Sequence, residues 1–275
     1  AMLDTAKPSL MRILGPNYLG FISPRRGVNA SFAHLFPSPG SLALVSQSGA
    51  IAAAAIDWAH ARGVGFSHIL TIGDAAVVDF GDLLDYLALD HETHGILLYV
   101  ESITDARKFM TAGRIASRTK PVVVVKAGRS AGGAKAAFTH SGALAGSDLV
   151  YEAAFRRAGM LRVGGLRELF DAVSNLGVGL RVYGDRLAIL TNGGGAGVMA
   201  VDALEARDGR LAELSEETLK KLAATAPAHW SGSNPVDIMG DAHAPLYGKA
   251  LEILLEDKGA DAVLVMNCPT AVEDS

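Results

Sequence analysis

The chain has 275 residues, of which 49% are hydrophobic and 20% charged. That excludes a disordered chain and supplies a core for about two domains. Lys+Arg 25 against Asp+Glu 29 gives a net charge of −4, and neither a basic cluster nor an apolar run of about 18 residues is present, so no nucleic acid and no membrane is expected as a partner.

Cys268 is the single cysteine, which excludes an intrachain disulfide framework and a thiolate metal cage. The opening AMLDTAKPSL has no apolar core of signal-peptide length, so a cytoplasmic location is expected. Glycine is in excess at 31 residues while aromatics are only 6%. This composition suits an α/β fold with tight strand-to-helix turns and small residues where helices meet a sheet.

In chain order, residues 1–38 hold two proline-marked breaks and an apolar piece, MRILGPNYLGF, too short to be a domain. Continuous apolar runs, the mark of buried parallel strands, follow at 42–46 (LALVS), 68–72 (HILTI), 96–100 (ILLYV), 122–126 (VVVVK) and 160–163 (MLRV). Helical patterns lie between them at 50–62, 80–90, 104–118 and 147–158. Ser147 and Asp148 read as the N-cap and first-turn acid of the last of these. A short amphipathic helix spans 166–176. The series restarts with LAILT at 187–191, a helix at 196–207, the helices SEETLKKLAAT and PLYGKALEILLED, and a strand AVLVMN at 262–267.

The restart is an internal repeat. A shift of 145 residues lays Leu42–Ser46 on Leu187–Thr191, Gly49 on Gly194 and Asp57 on Asp202. Two doubly wound parallel-sheet domains are predicted, at 39–164 and 178–275, joined by a helical linker at 165–177. The Ala1-Met2 start and the stop eight residues after the strand at 262–267 read as the ends of a piece of something longer.

Ligands of open α/β sheets bind at the carboxyl ends of the strands, and four features fall there. Ser46-Gln47-Ser48-Gly49 separates strand LALVS from an Ala-rich helix; it is either an anion cradle at a helix start or an ordinary tight turn with a serine cap. Its repeat partner, Asn192-Gly193-Gly194-Gly195-Ala196-Gly197, suggests backbone contact with an anion or else a flexible turn. It fits neither a dinucleotide fingerprint nor a P-loop.

His140 lies in the small-residue stretch Lys126 to Gly146, which reads as a loop too glycine-rich for helix or strand. A neutral imidazole there is a competent nucleophile toward phosphorus, although a lone loop histidine is usually just exposed. Glu101, directly after ILLYV, is placed either to hold an imidazole's second nitrogen or to serve as a loop acid or helix-cap partner. His91 and His94 have metal-pair spacing but sit in a charged turn with no third ligand, so no metal site is assigned.

Together the segments RILGPNYLG, LALVSQSGAIAAAA, DFGDLLDYLALD, ILLYVES, VVVVKAGRS, THSGALAGSD, LTNGGGAGVMA and SNPVDIMGDA resemble the nucleoside-diphosphate-forming acyl-CoA synthetases, the family of ADP-forming acetyl-CoA synthetase and, more distantly, succinyl-CoA synthetase. They run in family order over nearly the whole chain. The resemblance implies that both domains are flavodoxin-like and that 1–38 is a remnant of a CoA-binding domain with its linker. It implies that His140 is phosphorylated during turnover, that Glu101 supports it, and that both Gly-rich turns open helices whose N-termini hold the phosphate.

The implied reaction interconverts acyl-CoA, ADP and phosphate with free acid, ATP and CoA, with no tightly bound cofactor. Mg2+ is expected at an ATP-grasp domain absent from this chain. That domain and the CoA-binding domain are the implied partners, in the same longer chain or a separate subunit of an oligomer. Tyr18 stands where the family more often has cysteine, Asp74 where asparagine is common, and Ser141 replaces the commoner threonine. The alternative reading is an acyl-CoA- or nucleotide-sensing region of a protein acetyltransferase with a non-catalytic ligase-like module.

Overall fold

Five strands of the first half are apolar on both faces, so each needs a covering layer above and below. The computed structural model, which describes residues 2–141, 146–177, 182 and 184–270, supplies those layers. It divides into two units, residues 1–180 and 181–275.

The first unit opens with a short helix α1 (Met2–Ala6) and a hairpin of β1 (Gly20–Ser23) and β2 (Val28–Ser31). There follow β3 (Pro39–Ser46), α2 (Gly49–His60), β4 (Phe66–Thr71), α3 (Phe80–Leu89), β5 (Gly95–Val100), α4 (Ala106–Thr119), β6 (Val122–Lys126), α5 (Ala131–Ser141), α6 (Asp148–Ala158), β7 (Leu161–Val163) and α7 (Leu166–Gly177). The sheet order is β2-β1-β4-β3-β5-β6-β7. Strands β3 to β7 are mutually parallel, while β1 is antiparallel to both neighbours. Within the parallel part the order is that of a flavodoxin-type doubly wound sheet, whose winding direction reverses between β3 and β5.

Alternate strand residues serve opposite faces. Val45, Leu70, Leu98 and Val124 join Phe80, Phe109 and Phe155 on the face covered by α3, α4 and α6. Leu44, Ile69, Leu97 and Val123 join Ala52, Ile56 and Leu169 on the face covered by α2 and α7. Two features depart from the sequence-based expectation. The hairpin β1–β2 lies within the stretch read as a domain remnant, yet it extends this sheet through Phe21↔Leu70 and Ile22↔Ile69. The segment read as a linker is α7, which buries Leu169 against the sheet with Phe170 stacked on Trp58 at 4.6 Å.

The second unit comprises β8 (Arg186–Thr191), α8 (Gly194–Glu205), β9 (Arg210–Leu211), α9 (Glu216–Thr225), β10 (Val236–Asp237), α10 (Ala244–Leu255) and β11 (Ala262–Met266). Strand β11 pairs along all of one edge of β8, so the short β9 and β10 share its other edge, all parallel. Ala188, Leu190, Leu222, Val236, Ala250 and Leu254 form its core. The 145-residue shift maps β3 onto β8 and the start of α2 onto that of α8.

Candidate functional site

The carboxyl end of β3 is where the first candidate turn is built. Ser46 is fully buried, and its Oγ accepts from the Ser48 amide (3.1 Å) and donates to the Ser48 carbonyl (2.7 Å). Ser48 is the N-cap of α2, its Oγ accepting the Ile51 amide at 3.4 Å. Among the described residues the Gly49 and Ala50 amides have no acceptor, which leaves two donors and the positive end of the helix dipole free.

Glu101 follows the last residue of β5, the neighbouring strand, with Ser46 opposite Tyr99. It therefore sits on the other side of the sheet's switch point, where ligands of such sheets collect. Gln47 of the turn and Glu101 lie on one cavity of about 190 Å³, whose walls also include Asn17, Asp74, Phe80 and Phe109.

Asn17 and Asp74 are wall residues that sequence reasoning did not single out as site residues. They meet through Asn17 Nδ2 donating to Asp74 Oδ1 at 3.2 Å. Segment 13–17 runs beside 74–78, with amide bonds from Asp74 to Pro16, Ala76 to Gly15 and Val78 to Ile13. Gly73 makes that approach possible: its φ is +50°, and a Cβ there would stand 2.1 Å from the carbonyl oxygens of both Pro16 and Asn17. The available signal was the GPN and IGD motifs, but not their adjacency.

Burial, with the Glu101 carboxylate adding to it, pushes the Tyr99 phenol above its ordinary value. Burial pulls the Lys126 ammonium below its ordinary value, partly offset by Asp148. Lys126, at the carboxyl end of β6, donates to the Ala127 carbonyl and lies 4.6 Å from the centre of the Tyr151 ring. Beside it Arg162 binds Asp148 and Glu152, so Asp148 anchors β7 to α6, while Ser147 at the N-cap position makes no side-chain cap bond.

His140 does not lie in a loop. It falls in the last turn of α5 (Ala131–Ser141). Gly132 and Gly133 cost about 1 kcal/mol each against alanine. Ala131, Ala134, Ala136 and Ala137 favour the helix, and Ser130 Oγ accepts the Gly133 amide at 3.1 Å, a capping bond legible in the sequence. The His140 side chain and residues 142–145 lie outside the described residues.

In the second unit Thr191 repeats the role of Ser46, its Oγ1 accepting the Gly193 amide at 3.1 Å. Among the described residues the Gly194, Gly195 and Ala196 amides opening α8 have no acceptor. The glycines are not equivalent. A Cβ on Gly193 would stand 2.6 Å from Cys268 Sγ and one on Gly194 2.9 Å from Asp237 Oδ2, while Gly195 faces open space. Asp237, at the end of β10, thus sets a carboxylate beside the helix start, another feature that sequence reasoning missed.

One group of potential metal ligands, His68, Asp90 and Glu92, is already occupied. His68 Nδ1 meets Ser23 Oγ at 2.7 Å and its Nε2 meets Asp90 at 3.2 Å. The Arg26 guanidinium lies 4.0 Å from Asp90 and 3.6 Å from Glu92.

A parallel sheet in flavodoxin order, with the turn that opens α2 bonded to the backbone of Glu101 at its switch point, defines an α/β domain of the doubly wound class. Residues 39–176 match the family model described as "Succinyl-CoA ligase like flavodoxin domain", and the chain belongs to that family. It is 44% identical over 273 residues to acetate–CoA ligase [ADP-forming] I of Archaeoglobus fulgidus, covering 99% of this chain and 40% of that protein. With the alpha subunit of acetate–CoA ligase [ADP-forming] I of Pyrococcus furiosus it shares 42% identity, over 99% of this chain and 59% of that subunit.

Among solved structures, dinucleotide-forming acetyl-coenzyme A synthetase 1 of Ca. Korarchaeum cryptofilum, in complex with phosphate and ADP, superposes with a TM-score of 0.94 at 35% identity. That match covers 99% of this chain and 59% of the other. The chain thus spans between two fifths and three fifths of the length of these relatives. Among the described residues no helix is long and apolar enough to cross a membrane.

Proposed function

We propose that this chain supplies the phosphoryl-relay part of an ADP-forming acyl-CoA synthetase. The observation that carries the reading is the meeting of Glu101 with the turn that opens α2, on one cavity at the switch point. Support also comes from relatives, named as ADP-forming acetate–CoA ligases, that align over 99% of the chain. No finding supports the alternative of a regulatory region in a protein acetyltransferase.

In the proposed cycle an oxygen of inorganic phosphate attacks the acyl-CoA carbonyl, and the C–S bond breaks to release CoA as the thiolate. An imidazole nitrogen of His140 then attacks phosphorus, breaking the P–O bond to the acyl group and releasing the carboxylate. Finally a terminal oxygen of ADP attacks the phosphohistidine, forming ATP and restoring the imidazole. Glu101 accepts a hydrogen bond from the imidazole's other N–H, fixes its tautomer and stabilises the positive charge that develops. The amides opening α2, in the turn Ser46 to Gly49, stabilise the transferring phosphoryl group, and those opening α8, in the turn Asn192 to Gly197, give the second unit a phosphate cradle of its own.

The CoA-binding and ATP-grasp domains of the cycle, the latter with Mg2+, belong to the same protein or a partner subunit, in the cytoplasm. The test is to incubate the assembled enzyme with ATP and detect acid-labile phosphohistidine. His140→Asn is expected to abolish the label while the unfolding midpoint stays within about 2 °C of the unsubstituted protein. A label that persists in His140→Asn refutes the assignment.

A further inference from the structure

The turn at Ser46 to Gly49 suggests a Gln47 side chain facing an anion. Its hydrogen bonds point elsewhere. Gln47 Oε1 accepts the amides of Glu101 (2.6 Å) and Ser102 (2.9 Å), which occupies both lone pairs of the carbonyl. Gln47 Nε2 donates to Ser102 Oγ at 3.4 Å, and the Gln47 amide donates to the Tyr99 carbonyl at 3.2 Å. Three side-chain bonds thus clasp the first two residues beyond β5 to the turn that opens α2, across a sequence separation of 54 and 55 residues, and the Gln47 amide adds a fourth to Tyr99 within β5.

A second observation comes from the repeat. Position 47 shifted by 145 is Asn192, whose side chain is likewise engaged: Oδ1 accepts the Cys268 amide at 2.7 Å and Nδ2 donates to the Cys268 carbonyl at 2.9 Å. Cys268 lies just past β11, which is the parallel neighbour of β8 as β5 is of β3. The residue before each amide is a hydroxyl that accepts the amide two positions on, at 3.1 Å in both units. The local sequences, SQSG and TNGG, are identical only at the glycine but keep the order hydroxyl, carboxamide, small residue, glycine. Each unit uses a carboxamide to lock the end of the neighbouring strand.

We infer that Gln47 is a positioning residue for Glu101 and not a ligand of the phosphate, and that Asn192 performs the corresponding task on the Cys268 backbone. This rests on the reading of Glu101 as the group that supports His140. A carboxylate at the end of a strand inherits its position from the backbone beneath it. With the Glu101 amide held at 2.6 Å, that carboxylate starts from a fixed Cα. A glutamine suits the place because its carbonyl oxygen accepts two amides and its NH2 group reaches the Ser102 hydroxyl.

Two substitutions separate the roles, because both remove the donor and only one removes the acceptor. Gln47→Met removes both. Gln47→Glu keeps the acceptor oxygens for the two amides but has no N–H to offer an anion and adds a negative charge. In the assembled enzyme Gln47→Met is expected to slow phosphohistidine formation by roughly 10-fold or more, the usual effect of losing a group that orients a reactive one, with the KM for phosphate little changed. Gln47→Glu is expected to restore most of that rate.

In the 275-residue chain, amide exchange read by NMR at Glu101 and Ser102 is expected to accelerate in Gln47→Met and to stay slow in Gln47→Glu. Unchanged exchange in Gln47→Met overturns the inference. So does a Gln47→Glu enzyme that is slower than Gln47→Met with a raised KM for phosphate, because that is the signature of a lost donor to the anion. If the unsubstituted enzyme forms no phosphohistidine, the functional reading fails and the exchange experiment alone decides whether Gln47 holds the loop.

Discussion

Replacing Gly73 with alanine tests the packing that shapes the cavity wall. Gly73 has a φ of +50°, where an alanine costs about 1 kcal/mol. The added Cβ would stand 2.1 Å from two backbone oxygens, those of Pro16 and Asn17. Ordinary carbon–oxygen contact is more than 3 Å, so segment 16–17 must retreat by about 1 Å. That retreat breaks the Asp74 amide bond to Pro16 and stretches the Ala76 bond to Gly15, both 3.0 Å, at about 1 kcal/mol each. The sum is about 3 kcal/mol.

Gly27→Ala is the internal control, because Gly27 has a φ of +64° and nothing within 4 Å of its Cβ position. It should lose only about 1 kcal/mol, the backbone cost. Of the two tryptophans, Trp58 lies in the first unit, stacked on Phe170. Urea unfolding followed by Trp58 fluorescence in a Trp230→Phe background therefore reads the first unit, with a shifted midpoint and an unchanged slope. A Gly73→Ala protein no less stable than Gly27→Ala would refute the clash argument.

Acid should expose the Asp82 cluster. Burial raises the Asp82 carboxyl, but hydrogen bonds from Lys108, the Asp79 amide and Arg12 outweigh it and bring the value from 3.8 to about 2. Because the folded value is the lower, this stabilisation is complete above pH 3.8 and is lost as pH falls toward 2; it amounts to about 2 kcal/mol. Stability measured from pH 5 to 2 should fall less steeply in Asp82→Asn, and curves of equal slope would contradict the assignment. Glu101→Gln should slow phosphohistidine formation without abolishing it, since the amide still orients the imidazole but no longer stabilises its charge; an unchanged rate in rapid-quench labelling would remove Glu101 from the site.

The alternation of strand and helix was legible because buried parallel strands are apolar on both faces and need no partner to be noticed. LALVS, ILLYV, VVVVK and LAILT appear as β3, β5, β6 and β8 with ends displaced by no more than three residues. The 145-residue repeat was equally readable, and it pairs Gly49 with Gly194, the residues that open α2 and α8, although the sequence pattern begins those helices at 50 and 196. Helix α5 was legible in principle through the cap at Ser130, but the weight given to Gly132 and Gly133 concealed it. The hairpin β1–β2 was not, since its four-residue strands become a sheet edge only through β4, about 50 residues away.

At the site, the sequence by itself determined which residue types stand at the carboxyl edge: Ser46 to Gly49, Glu101, and Asn192 to Gly197. Backbone direction is a local property, so a residue one step past a strand must lie at that edge. Which of them touch was decided only by tertiary structure. Gln47 to Glu101, Asn192 to Cys268, and Gly73 to Asn17 are contacts between segments 54, 76 and 56 residues apart. They depend on strand order and register, which are set by how two layers of helices pack on one sheet. No local pattern carries that information.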